Sequence, residues 1–161
     1  MTNMLERLFP KQFDNIYRGY WLGFWLLAPV LLARLAIGVN STFNGRTVAA
    51  SADGIPLDTY GTSAADTVVA LFALSGFSFI LLSLLGILAM LRYRAMIPLV
   101  YLLLLLQQLG NRALILLHPI ARSGVATAQL GSAFVLGILA LTLIGFFLSL
   151  LRRDKRTATT G

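Results

Sequence analysis

The sequence predicts an all-α fold: an integral membrane four-helix bundle with both termini cytoplasmic and one long outer loop. Of its 161 residues 58% are hydrophobic, the mean hydropathy is +0.82, and only 12% are charged, against roughly a quarter in ordinary soluble domains. Four apolar runs each reach the ~20 residues that a bilayer-crossing helix needs. The basic residues lie between those runs.

Residues 1–18 form a cytoplasmic or interfacial lead-in. Arg7, Lys11 and Arg18 stand beside Leu5, Phe9, Phe13, Ile16 and Tyr17, a helical spacing interrupted by Pro10. No small-residue cleavage site ends the apolar run that follows, so the segment does not read as a signal peptide. The membrane domain spans 19–151. Its first helix is placed at 20–39, opening with Tyr20, Trp21 and Trp25, whose rings favour the headgroup level. Pro29 is tolerated within it because neighbouring helices can satisfy a freed carbonyl.

Residues 40–65 turn polar, with Asn44-Gly45, Asp53-Gly54 and Pro56 as turn signals. This is the outer loop, with Val48, Ile55 and Leu57 as the points where it folds back. Ser63 and Asp66 read as a capping box for a second helix at 66–91. Ser75, Gly76, Ser78, Ser83 and Gly86 supply small side chains for close helix approach along it. Arg92-Tyr93-Arg94 makes a basic turn, and Pro98 suits the first turn of a third helix at 95–118. That helix ends at Pro119 and Gly124, and a fourth follows at 127–151 with Ala133, Gly137 and Gly145 as contact points. Residues 152–161 form a basic cytoplasmic tail.

Lys and Arg number three in the lead-in, two in the 92–94 turn and four in the tail, against Arg46 and Arg122 on the other side. The positive-inside rule therefore puts both termini in the cytoplasm, in a bacterial inner membrane. The formal charge of +7 points to the bilayer and its anionic lipids, with no nucleic acid as partner. With no cysteine, thiolate and disulfide chemistry are excluded, and one histidine, His118, cannot supply paired haem ligands. The sequence offers no metal site and no catalytic motif. At a helix end before Pro119, His118 reads as an interfacial residue rather than a proton carrier.

The third helix carries Gln107, Gln108, Asn111 and Arg112 inside its apolar run. Gln108, Asn111 and Arg112 share a face by i, i+3 and i+4 spacing. Arg34, near the end of the first span, counts to a similar depth in the outer leaflet. An arginine there costs ~2.5–3.5 kcal/mol on insertion scales unless it snorkels or finds an acceptor. Two readings follow. Structurally, Asp66 or one of the loop aspartates Asp53 and Asp58 pairs with Arg34 or Arg112, and the amides bond across helices. Functionally, Arg34, Gln107, Gln108, Asn111 and Arg112 line a ligand site for an anionic headgroup, a small acid or a quinone carbonyl.

An arginine near the end of helix one, GIPLD at 54–58, a small-residue second helix, the RYR turn at 92–94 and the Asn111-Arg112 pair together make the chain from Trp21 to about Leu148 resemble the DoxX-like superfamily. Its members named for quinone-linked oxidation imply contact with quinone or a partner oxidoreductase, while no catalytic motif carries over residue by residue. The sequence thus predicts a non-enzymatic accessory or interaction subunit, with a membrane protein partner or homo-oligomer. The alternative is a membrane-embedded binding or redox accessory protein that uses quinone or lipid and no other cofactor. A small transporter fits less well, since no Asp or Glu lies inside a span.

Overall fold

The computed structural model describes residues 8, 14–118 and 126–151. Readings that concern Arg7, Lys11, Pro119, Arg122, Gly124 and the basic tail lie outside the described residues. Among the described residues there is no strand, and four helices are long and apolar enough to cross a membrane. They are α1 (Trp21–Phe43), α2 (Thr62–Arg92), α3 (Ile97–Leu117) and α4 (Ala126–Leu150). α1 packs on α2 and α4, and α3 closes the ring by packing on α4 and α2. The chain segment 53–61 marks one end of the bundle, here the loop end. Tyr93, between α2 and α3, marks the other, the turn end.

Small side chains set the closest approach. Gly38 and Gly76 meet backbone to backbone, so that a Cβ on Gly38 would lie 2.8 Å from the Gly76 carbonyl oxygen. A Cβ on Gly86 would meet Leu31 Cδ1 at 2.9 Å. Gly76, Ser83 and Gly86 are buried on one face of α2, whereas Ser75 and Ser78 are exposed. In α4 only Gly145 of the three anticipated contact points fits this pattern. Ala133 is exposed and nothing lies within 4 Å of a Cβ at Gly137.

The core joins Leu27, Val30 and Leu31 of α1, Ala89 of α2, Val100, Tyr101 and Leu104 of α3, and Ile138 of α4. Tyr101 is fully buried and donates its hydroxyl to the Gly23 carbonyl at 2.8 Å. At the turn end the segment before α1 is fastened on both sides. The Tyr20 amide donates to Leu148 O at 3.1 Å, and Asp14 O accepts from the Ala95 amide at 3.3 Å.

The non-helical part of the segment 40–65 is shorter than anticipated because helix continues into it from both sides. α1 runs to Phe43 and leads into a helical turn at Gly45–Thr47 and a π-turn at Val48–Ala52. Polar side chains there bond to their own helix. Thr42 Oγ1 donates to Gly38 O at 2.8 Å, and Asn44 Nδ2 to Asn40 Oδ1 at 2.9 Å. Polar composition therefore does not stop the helix. α2 likewise begins at Thr62 after Gly61, with no side-chain cap, and the anticipated Ser63–Asp66 capping box is not formed. Ser63 instead accepts through its carbonyl from Thr67 Oγ1 at 2.8 Å. The fold-back residues are as anticipated: Val48, Ile55 and Leu57 are buried, the latter two in a second small core with Ala49 and Ala65.

Candidate functional site

Arg34 is the one charged side chain buried among the described residues, at 5% exposure. α1 continues nine residues beyond it to Phe43. Its guanidinium carbon stands 5.0 Å from the centre of the Phe79 ring on α2, a cation–π contact. Its Nη1 is buried with no hydrogen-bond partner, and no carboxylate among the described residues pairs with it.

The anticipated pairing with Asp66 does not form. Asp66 instead lies 3.7 Å from Arg46, and both side chains are more than half exposed. The helix register explains this. Gly38 opposite Gly76 and Gly45 opposite Val69 put Arg34 level with Ile80, fourteen residues along α2 from Asp66. At ~1.5 Å per residue that is ~21 Å, well beyond an arginine's reach. Arg46, on the turn that follows α1, meets Asp66 first. Such a solvent-facing pair contributes at most ~1 kcal/mol. Asp58 is exposed, and Asp53 is half-buried with its amide donating to Val48 O at 3.1 Å. No ion pair among the described residues involves Arg112.

A second polar layer lies toward the turn end. Gln108 is buried, and its Nε2 donates to Thr142 Oγ1 of α4 at 3.1 Å. Thr142 in turn gives its own proton to Ile138 O at 2.6 Å, so its free lone pair takes the amide N–H and fixes which way the Gln108 amide points. That leaves Gln108 Oε1 buried and unpartnered, as is Gln107 Oε1. Gly23 packs against Gly145, which puts Thr142 level with Leu26 of α1. The Arg34 backbone is then eight residues, or ~12 Å, further toward the loop end.

The five residues do not form a single ring. Arg34 and Gln108 are both interior, in different layers. Gln107 and Arg112 are half-buried, and Asn111 is exposed beside Gly110, where a Cβ would meet nothing within 4 Å. Every described residue of α3 from Leu109 on is exposed apart from Arg112. Spacing alone therefore grouped Gln108 with residues that the bundle separates. Thr142 and Phe79 were missed. Thr142 left a signal, as a hydroxyl in the middle of an apolar run opposite an intramembrane glutamine, whereas Phe79 left none among so many apolar neighbours.

What the interior offers chemically is a fixed cation with an unused donor, and two amide oxygens with unused lone pairs. These suit an acceptor-bearing ligand or an ordered polar group and supply no nucleophile. Among the described residues no cluster of three metal-ligating side chains occurs. The chain matches no protein-family model, no curated protein and no solved structure.

Proposed function

We propose that this protein is a non-enzymatic accessory subunit of a bacterial inner membrane that holds a lipophilic ligand through an anionic or carbonyl group placed against Arg34. The observation that carries this reading is a guanidinium buried to 5% exposure with Nη1 unpartnered and no carboxylate among the described residues paired with it. A buried charge without a partner costs several kcal/mol (roughly, after relaxation), which an acceptor-bearing ligand offsets. Arginine also keeps its charge and donor fork at any working pH. Cytoplasmic termini, with Arg34 in the outer half of the span, are supported by the excess of Lys and Arg in the sequence of the lead-in, the 92–94 turn and the tail. Quinone and phospholipid both supply the required oxygen, and the DoxX-like resemblance favours quinone.

The test is the lipid and quinone content of purified protein by mass spectrometry, wild type against Arg34→Leu and Arg34→Lys. A compound retained by the wild type and lost from Arg34→Leu is expected, with the Lys variant in between. Identical content in all three refutes the proposal, provided helix content is unchanged.

A second reading rests on the loop-end half of α3, where Asn111 and the open backbone at Gly110 face outward from an apolar helix. An amide at that position favours a partner helix, either a second copy or another membrane protein. Crosslinking from a cysteine placed at Gly110 should trap that partner, and a strictly monomeric product counts against it.

A further inference from the structure

At the turn end, far from Arg34, a groove of about 670 Å³ opens between the segment before α1, the first turns of α1 and the end of α2. We propose that this groove is a binding site for an anionic phospholipid of the leaflet at that end, with the phosphate on Arg94 and an acyl chain along Trp21, Trp25 and Leu91. The site stands apart from the Arg34 ligand and requires only that the four helices span a bilayer.

The walls and the rim differ in chemistry. Ile16, Trp21, Trp25 and Leu91 are 61%, 57%, 51% and 71% exposed, so the groove presents apolar surface outward at the end of a spanning helix. Indole rings favour the headgroup level of a bilayer. On the rim, Arg94 is held in place from two sides. Its Nε donates to Met90 O at 3.3 Å, and its guanidinium carbon lies 5.3 Å from the centre of the Phe24 ring. That fixes the plane of the cation while leaving its terminal nitrogens for another acceptor.

Among the described residues no carboxylate pairs with it. The nearby acid, Asp14, accepts from both terminal nitrogens of Arg18, which holds its carboxyl below the usual range. The first turn of α1 carries no acidic residue and no side-chain cap, so the partial positive charge of that helix end also favours an anion. The segment forming the groove's edge is pinned at Tyr20 and Asp14 by the backbone hydrogen bonds already described, so the groove is built before any ligand arrives. Its volume falls within the ~300–1,000 Å³ of pockets that hold drug-sized ligands. That accommodates a headgroup and the upper part of one chain, the rest of which lies in the bilayer. A zwitterionic lipid brings its own cation to the same rim and gains less.

The two tryptophans of the chain both line this groove, so the protein carries its own reporter. Full-length protein is placed in phosphatidylcholine nanodiscs containing a small, fixed fraction of either phosphatidylglycerol or phosphatidylcholine with brominated chains, and tryptophan quenching is measured. The anionic quencher should be enriched at the groove by roughly fivefold over the zwitterionic one, the ratio corresponding to ~1 kcal/mol per basic residue at a membrane surface. Arg94→Gln should abolish the preference, and Arg112→Gln should leave it intact. Equal quenching by the two lipids in the wild type overturns the proposal, whatever the variants do. So does a preference that survives Arg94→Gln, since it would then belong to the general surface charge.

Discussion

An alanine at Gly145 would place its Cβ 2.6 Å from Tyr101 Cε1, and closer still to the ring's Cζ and hydroxyl oxygen. Carbon atoms in contact settle at about 3.5–4.0 Å, so the ring must retreat by roughly 1 Å. Tyr101 has no free volume to retreat into, being fully buried and anchored on Gly23 O at 2.8 Å. Overpacking of this kind costs about 1–3 kcal/mol. Loss of the hydrogen bond adds ~0.5–1.5 kcal/mol. Against this, Gly→Ala within a helix returns about 0.5–1 kcal/mol, which leaves a net destabilisation of ~0.5–4 kcal/mol. Gly137→Ala is the control, made in the same helix where nothing lies within 4 Å of the new methyl group. It should be neutral or mildly stabilising. Unfolding by SDS titration or steric trapping in bicelles reads both, and Tyr101→Phe in the Gly145→Ala background should recover part of the loss. Equal stabilities for the two alanine variants would show that the α1–α3–α4 contact is not organised around Tyr101.

Tyr17 and Tyr101 should answer oppositely to loss of their hydroxyls. The Tyr17 hydroxyl is buried without a partner, so Tyr17→Phe should be neutral or stabilising by up to ~1 kcal/mol, while Tyr101→Phe should cost ~0.5–1.5 kcal/mol in the same unfolding assay. Burial also pushes the Tyr17 phenol above its usual 10.0. The unfolded chain therefore ionises first as pH rises, and stability, fully present below that value, falls above it. Tyr17→Phe should flatten that fall, and an unchanged slope refutes the assignment. For the buried Gln108–Thr142 bond, a double-mutant cycle with Gln108→Leu and Thr142→Val should give a coupling of ~0.6–2 kcal/mol, typical of interhelical hydrogen bonds in membranes. A coupling of zero would mean the two side chains are satisfied separately.

The four apolar runs were legible in composition alone, because lipid demands long apolar helices and little else produces them. Their inner faces were only partly legible. In water the apolar side of a helix marks the core, but here Leu74, Leu81 and Leu88 are outside while Gly76, Ser83 and Gly86 are inside. Small residues flagged the α1–α2 seam correctly and misled at Gly137 and Ser75, since smallness permits contact without compelling it. Tyr101 could not be singled out from the leucines that follow it, because its role depends on Gly23 and Gly145 arriving from two other helices.

The position of Arg34 turns on the same physics. Composition ends the first span at Val39, where Asn40, Ser41 and Thr42 begin, and so brings Arg34 near an interface and near Asp66. Short polar side chains that bond to their own helix carry α1 on to Phe43, with Gly45–Ala52 continuing the helical course. Each added turn moves the end of the helix away from Arg34 by about 5.4 Å. Asp66 moves with it, because α2 lengthens at the same end and Arg46 takes the carboxylate. The side chain that looked able to snorkel or to find an acid does neither and rests on Phe79 instead. Removing the charge then separates the alternatives. If Arg34 serves only the architecture through Phe79, Arg34→Leu should relieve an unpaired buried charge and raise the stability of the delipidated protein without changing what co-purifies. A ligand held there makes the same substitution stabilising without ligand and destabilising with it. Stability measured before and after delipidation, for wild type and variant, therefore gives a sign change in one case and none in the other.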